Sequence, residues 1–435
     1  MEVYPFPSET ETDDESIDQQ VEIIPMKKEK IAIVTTGAFP VPAVKGGGAE
    51  TLVEILLKQQ EVFQQLDLTL LSIYDEEAVE LSAQYPHTKF CFIRPQSHWY
   101  KLDGMIHHAA YDLLHKENHL AYKSIFQRLD YIRLAAKYIH DRDFDKVVFE
   151  NQMALLWVLR HPGNQQKFAD KYYLHIHNHP ARYAGNEKLA ADARKIICVS
   201  EFIGKAFAGN IGVPFDDRFA VLKNVADESL FDPSGITEQE LRDLRKKYSL
   251  GQERVILFCG RLIEGKGVRE LLLAYEKMNR PDTKLVIVGS FNYNSTEKSP
   301  YEDKLMEILD RIGRDKVIFT GYIPHEELPK YYALADLVVL PSTCEEAAGL
   351  TVIEAMMMLR PVITTTMGGI PEYTNPECAA LLENDESLPE QIRNAMEDLL
   401  DSPEKCQAMK DAQKEYTKIF SLAEYYHRFV RILED

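Results

Sequence analysis

Apolar residues along this chain follow two alternating patterns. Short runs that are mainly apolar are separated by longer stretches whose apolar positions recur at helical spacing. A short, mainly apolar run predicts a strand buried on both faces, as in a parallel sheet. The runs are Ile31–Thr35, Leu68–Ser72, Phe90–Ile93, Val147–Phe149, Tyr172–Ile176 and Ile196–Ser200 in the first half. In the second half they are Val255–Cys259, Leu285–Val288, Val317–Thr320, Leu337–Leu340 and Val362–Thr364. Each half reads as one open sheet joined by helices, so the fold class is α/β with two doubly wound units.

The stretch from Leu337 to Thr366 shows the unit most clearly. Leu337–Leu340 is a strand that ends at Pro341 and Ser342. A polar loop leads to Gly349, a helix starts near Leu350 and stops before Pro361, and Val362 resumes the sheet. The loop opens at the carboxyl end of a strand, where ligands bind in open α/β sheets and helix N-termini point outward. Elsewhere, Ser97–His140 is helical and rich in His and aromatics (His98, Trp99, Tyr100, His107, His108, His115, His119). Thr237 and Glu240 form a capping box that opens a charged helix expected to stop at Gly251. Glu326–Ala335 is helical, as is the chain from Pro389 on. In its last stretch, Ala423–Leu433, Tyr426, Phe429, Val430 and Leu433 share one stripe.

With 435 residues the chain exceeds one ordinary domain. The expected division is an acidic, disordered tail (1–27), a first Rossmann-like domain (28–225), a second (226–415) and a C-terminal helix (416–435). The first 25 residues hold eight acids and no Lys or Arg, which is neither a signal peptide nor a pattern that folds. An apolar fraction of 45% with 21 Gly and 21 Pro fits a soluble globular protein, and no apolar run is long enough to span a membrane. The six cysteines are scattered without a C-x-x-C pair, which predicts buried thiols in a reducing cytoplasm. The net charge of −19 argues against nucleic acid as a partner.

Candidate chemistry gathers in the loops after strands. Glu346 lies in the Pro341–Gly349 loop and Glu354 in the expected first turn of the following helix. On the residues alone the two carboxylates serve equally well as a ligand site or as a helix-dipole partner and a solvated loop acid. Gly349 lets the backbone approach a ligand. The loop Gly260–Gly267 carries Arg261 and Lys266 before a helix, a setting suited to a diphosphate. Gly46–Gly47–Gly48 follows the first strand, either as a phosphate-facing loop or simply to let strand and helix pack. His175, His177 and His179 alternate at the end of a strand and should share one face. His175, inside the strand, reads as structural. The His-rich stretch lacks a convincing zinc spacing and reads as helix surface and acceptor-side lining, with Trp99 and Lys101 offering a peripheral membrane contact. Asp141–Arg142–Asp143 precedes a strand and reads as a solvated turn rather than a metal motif.

Glu346–Ala347–Ala348–Gly349–Leu350–Thr351–Val352–Ile353–Glu354 resembles the E-x7-E element of the family 4 retaining glycosyltransferases (glycosyl transferases group 1). So do Gly260–Gly267 its cation loop, and Met367–Gly368–Gly369–Ile370–Pro371–Glu372 its glycine turn, in order and at matching spacing. Looser similarities are His177–Asn178, the Ile196–Ser200 strand with Glu201, and Asn224–Val225–Ala226–Asp227, where Val225 replaces a Gly. Ala348 stands where the family usually carries an aromatic.

The resemblance implies a GT-B fold: two Rossmann-like domains facing a central cleft, with the C-terminal helix crossing back to the first. It implies that Glu346 contacts the donor sugar and Glu354 the ribose, with Arg261, Lys266 and the N–H groups of Gly349, Leu350 and Thr351 on the diphosphate. Tyr322 and Ile323 would meet the base, Gly47 and Gly48 would lie near the donor phosphates, and His177 would line the anomeric side. Glu346, His177, Lys266 and Arg261 are thus the expected catalytic residues, with no metal and no cofactor, the nucleotide-sugar being a substrate. The implied activity is retaining transfer of a hexose from a nucleotide-diphosphate sugar, UDP foremost, to a saccharide or lipid-linked acceptor in surface polysaccharide synthesis. A nucleotide-sugar epimerase and a non-enzymatic surface or coat component on the same fold are the alternatives.

Overall fold

A computed structural model of the chain describes residues 28–108, 124–290 and 300–435. The expected tail (1–27), together with His115 and His119, lies outside the described residues. The apolar runs form β1 (Lys30–Val34), β2 (Asp67–Ile73), β3 (Thr88–Ile93), β4 (Lys146–Glu150), β5 (Tyr172–Ile176), β6 (Lys195–Cys198) and β7 (Phe219–Val221) in one sheet. The other sheet holds β8 (Arg254–Cys259), β9 (Thr283–Val288), β10 (Val317–Gly321), β11 (Leu337–Leu340), β12 (Val362–Thr365) and β13 (Ala380–Leu382). The edge strands β7 and β13 were not legible in the pattern. Each has three residues, largely half-buried, too few to carry a period.

Strand order is β3-β2-β1-β4-β5-β6-β7 in the first sheet and β10-β9-β8-β11-β12-β13 in the second. The named strands pair in parallel, for example Ile31 opposite Leu68 and Lys146, and Val338 opposite Val362 and Leu257. In each sheet the order reverses beside the first strand, between β1 and β4 and between β8 and β11. That switch point opens a crevice at the carboxyl ends of those strands. The loops bounding it are the expected ones: Thr35–Gly48 and Glu150–Asn151 in the first lobe, Gly260–Gly267 and Pro341–Gly349 in the second.

The C-terminal helix, Leu422–Glu434, buries Leu422, Tyr425, Tyr426, Phe429, Val430 and Leu433. It crosses to the first lobe, where the Tyr426 hydroxyl donates to Gln60 Oε1 and the Tyr173 hydroxyl to the Leu433 carbonyl at 3.3 Å. One apolar cluster therefore runs from Leu56 and Leu57 through Tyr426 and Phe429 to Val338 and Met356, joining both lobes. The six cysteines are free, with Cys198, Cys259 and Cys378 buried. Among the described residues no helix is long and apolar enough to cross a membrane.

The Thr237–Glu240 capping box forms as expected, but its helix is Glu238–Lys247 and ends before Gly251. Ser249 takes the left-handed turn (φ 52°), and Leu250 folds inward with its N–H on the Arg245 carbonyl at 2.8 Å. Burying Leu250 stops the helix early. Asp141, Arg142 and Asp143 are exposed ahead of β4, with Asp141 paired to Lys137 and Asp143 to Lys167, a solvated turn as read.

Candidate functional site

In the second lobe, Lys266 and Glu346 come from the two loops flanking the β8–β11 switch point. Lys266 Nζ donates to Glu346 Oε1 at 2.5 Å, and the Ser342 hydroxyl donates to the same oxygen at 2.6 Å. Glu346 Oε2 has no partner among the described residues. One carboxylate oxygen is held in place and the other is left to accept from a ligand. The Glu346 backbone is pinned as well, its carbonyl accepting from Gly369 N at 2.7 Å. A Cβ on Gly368 would come within 2.4 Å of that carbonyl, so the glycine turn closes directly over the loop. Lys266 is held in turn by Gly267 (φ 70°), where a Cβ would lie 1.8 Å from the Pro341 carbonyl oxygen. Arg261, in the same loop, is exposed, and its guanidinium has no ion pair among the described residues.

The helix after the loop is Leu350–Met357, with Gly349 as an N-cap that offers no side chain. Its first backbone N–H groups have no capping side chain and form a positive pole at the loop. Glu354 was expected in the first turn, but it lies one turn further in. Leu350 starts the helix, so the fifth residue faces inward and is buried. The helix-dipole reading of Glu354 therefore fails. Its carboxylate accepts from the Tyr332 hydroxyl on Oε2 at 2.9 Å and from His325 Nε2 on Oε1 at 3.1 Å. The hydrogen bond to Glu354 raises the His325 pKa above its ordinary value, outweighing partial burial. Reading the sequence missed His325 and Tyr332 as site residues. The available signal was their place beside Tyr322 and Ile323, which follow β10. Tyr322 is 59% exposed and Ile323 half-buried.

In the first lobe, Gly47 (φ 109°) caps the helix Gly48–Phe63, and a Cβ there would sit 2.3 Å from Glu50 Oε2. Glu50 is buried and accepts from the Thr36 hydroxyl at 2.6 Å. Burial raises its pKa, with the Thr36 bond opposing. Gly47 and Gly48 are exposed at this helix N-terminus.

His175 and His177 do share a face, with ring centroids 4.0 Å apart, but His179 does not join them. β5 ends at Ile176, and His179 turns outward against Phe202. Both aligned imidazoles meet Glu150, His175 Nδ1 at 3.2 Å and His177 Nε2 at 2.9 Å. Among the described residues Glu150, His175 and His177 are the one set whose donor atoms lie close enough to hold a metal ion. Two imidazole N–H groups donated to one carboxylate explain the same distances. Trp99 stacks on Phe126 at 5.2 Å, so its ring is packed on protein, while Tyr100 and Met105 are exposed.

The lobes meet beside this site. The Ser200 hydroxyl donates to the Ala347 carbonyl at 2.8 Å, and the Glu372 carboxylate accepts from Glu201 N and Phe202 N at 2.7 and 2.9 Å. Glu372 thus caps the helix Glu201–Ile211 from the other lobe.

Residues 241–416 match the family model described as glycosyl transferases group 1. Over 390 residues the chain is 25% identical to spore coat protein SA of Bacillus subtilis, covering 86% of this chain and 91% of that protein. It is 28% identical over 265 residues to a lipopolysaccharide 1,2-N-acetylglucosaminetransferase of Salmonella typhimurium, covering 58% of this chain and 65% of that one. Among solved structures, a glycosyltransferase from Rickettsia africae superposes with a TM-score of 0.72 at 17% identity, covering 94% of this chain and 98% of that one. Anabaena Alr3699/HepE in complex with UDP gives 0.68 at 19% identity, covering 93% and 99%. These neighbours share the fold, and the two-lobed GT-B architecture is that of this chain.

Proposed function

We propose, from the premise that residues 241–416 form a glycosyl transferases group 1 domain, that the whole chain is a retaining, family 4 glycosyltransferase. It moves a hexosyl unit from a nucleotide-diphosphate sugar, UDP-linked, to a saccharide or lipid-linked acceptor in the synthesis of surface glycoconjugates. One observation carries this reading: the Glu346 carboxylate, bound by Lys266 and Ser342 on a single oxygen, beside an uncapped helix N-terminus and Arg261, which has no ion pair among the described residues.

Departure of the diphosphate from the anomeric carbon is the difficult step, because negative charge grows on the leaving oxygen. Lys266, Arg261 and the N–H groups of Gly349, Leu350 and Thr351 would meet that charge with dipoles already in place. Lys266 rests on Glu346 until the donor arrives, so an anion entering the cleft shares an ammonium that is already positioned. Glu346 Oε2 would take a sugar hydroxyl, and Glu354, oriented by Tyr332 and His325, would take the ribose. Tyr322 and Ile323 would lie along the base. His177 would line the anomeric side from the opposing lobe, and closure of the lobes would exclude water. The complexes of the similarly folded Anabaena Alr3699/HepE with UDP and with UDP-glucose support the donor class. Exposed Tyr100 and Met105 on the Ser97–His108 helix, beside Lys101, suit a peripheral contact with lipid near a lipid-linked acceptor.

A screen of nucleotide-sugars for turnover tests this directly. Glu346→Ala and Lys266→Ala should each lose donor turnover by about 100-fold or more. The coat component named among the relatives supports a second reading, a fold kept without turnover. Wild type that binds UDP by thermal shift yet turns over no donor would favour it. Wild-type turnover that survives both substitutions removes the two residues from the mechanism.

A further inference from the structure

β2 and β3 end side by side at the carboxyl edge of the first sheet, on the outer side of β1. Tyr74 follows β2 and Arg94 follows β3, and Tyr74 N donates to the Ile93 carbonyl at 2.8 Å. The two side chains thus start from paired backbone. The Arg94 guanidinium lies over the Tyr74 ring, 3.6 Å from its centre. Such a contact holds the cation and leaves its N–H groups free to donate. Among the described residues those groups have no acceptor, and no carboxylate stands within ion-pair distance of them. Two other arginines over rings differ. Arg142 lies over Tyr138 and donates to the Tyr138 carbonyl, and Arg160 lies over Trp157 and donates to the Gly185 carbonyl and Asn186. Arg94 is exposed, oriented and unused.

The acids nearby are turned to other donors. Asp75 Oδ1 accepts from Glu77 N and Ala78 N at 3.1 and 3.3 Å, capping the helix Glu76–Leu81. Asp130 accepts from Gln96 N at 2.9 Å and from Arg133 at 2.8 Å. Lys45 Nζ is half exposed and stands 3.6 Å from Asp75 Oδ2, longer than a hydrogen bond, so an entering anion can draw it across. Tyr100 is 45% exposed, and the Arg94 charge opposes the upward push that burial gives its hydroxyl, which sets the two side chains near each other. Lys45 also precedes Gly46–Gly47–Gly48 on the loop that bounds the crevice, and Val41 N of that loop donates to Ser72 Oγ of β2 at 2.8 Å. Two strand spacings, about 10 Å, separate the end of β3 from that of β1. This cationic edge belongs to the lobe opposite Arg261 and Lys266. A guanidinium fork, an ammonium and a phenol hydroxyl suit the oxygens and charge of a phosphate, whereas a neutral sugar gains little from the two charges.

We propose that the acceptor carries a phosphate, and that Arg94, with Lys45 and Tyr100 at its side, receives it about two strand spacings from the switch point. That the phosphate belongs to an acceptor rests on the sugar-transferase reading above. Arg94 is then a specificity-determining residue and takes no part in the bond-making step.

Two measurements on the full chain decide it. With UDP present to fill the donor site, ¹H–¹⁵N correlation of the arginine Nε–H groups should show Arg94 shifting saturably with added inorganic phosphate while Arg142 stays in place. No shift at Arg94, or equal shifts at both, overturns the site. In turnover, a panel of hexose phosphates should include acceptors whose KM is about 10–100-fold below that of the same hexose without phosphate, as one charge-assisted hydrogen bond or two would give. Arg94→Ala should erase most of that advantage with the KM for donor held within about twofold. Arg94→Lys should restore only part, because an ammonium cannot donate as a planar fork. Arg142→Ala should leave the advantage intact. The same comparison with a sugar linked to farnesyl diphosphate separates the sources. An Arg94 effect confined to it names a lipid-linked diphosphate, and one shared with the hexose phosphates names a phosphosugar. An advantage that survives Arg94→Ala overturns the inference. So does an Arg94→Ala variant that loses binding to vesicles of anionic phospholipid yet keeps its KM for every acceptor, since the cation then serves the bilayer. A wild-type chain without any donor turnover defeats the transferase reading and the acceptor clause together, whereas turnover indifferent to acceptor phosphate defeats this inference alone.

Discussion

At the scale of single residues, the site is made of carboxylates held by their neighbours. Glu346 keeps one oxygen for Lys266 and Ser342, and Glu354 has both oxygens addressed, by His325 and Tyr332. His325 gives this a pH dependence whose sign can be worked out. Its pKa in the folded chain is raised by the hydrogen bond to Glu354. The stabilisation is therefore fully present below the ordinary histidine value of about 6.5 and is lost as pH rises through the raised folded value. The ring is half exposed, so solvent screens the pair and the effect is small. Thermal midpoints of wild type and His325→Gln should differ most near pH 5.5 and converge in alkali. A gap that widens with pH would contradict the pairing.

At the scale of elements, loops and helix ends decide where charges stand. Gly267 separates the Lys266 turn from the helix Val268–Met278, with φ 70° and the Pro341 carbonyl pressed against its Cα. Gly267→Ala must pay for both the left-handed backbone and the clash, and should cost about 3 kcal/mol in urea unfolding. Gly48→Ala is the contrast, since a Cβ there meets nothing within 4 Å and the position begins a helix. It should leave stability unchanged or raise it by about 0.5–1 kcal/mol. Equal losses at the two positions would show that the cation loop is not held as described.

At the scale of the molecule, the lobes are joined by both apolar and polar contacts. The C-terminal helix supplies an apolar seam, and Tyr373 supplies a polar one. The Tyr373 hydroxyl donates to the Val199 carbonyl at 2.6 Å and accepts from Asn224 N at 2.9 Å, both in the first lobe and buried. Tyr373→Phe leaves those two main-chain groups unpaired and should destabilise by about 2 kcal/mol. Urea midpoints measure this, and an unchanged midpoint would remove the contact from the joint. Because Gly368 and Gly369 of the same turn cover the Glu346 loop, with a Cβ on Gly369 reaching within 3.0 Å of Ser200 Oγ, the site and the joint are one structure.

Eleven mainly apolar runs marked eleven of the thirteen strands among the described residues, because a strand buried on both faces is apolar along most of its length. That pattern, with its loops, determined the class of fold, the doubled plan and the positions of Arg261, Lys266, Glu346 and Glu354 on the chain. The short edges β7 and β13 bury too little to leave a pattern. What faces what was decided only by the tertiary structure. The alternation of His175, His177 and His179 was visible, but the end of β5 at Ile176 decided that His179 leaves the face. Nothing in the chain order told that Glu150 would meet two imidazoles, that Lys266 would rest on Glu346, or that Glu372 would cap a helix of the other lobe. Those contacts join residues far apart in sequence. A local pattern records whether a side chain is buried, whereas its partner depends on how separate strands and lobes come together.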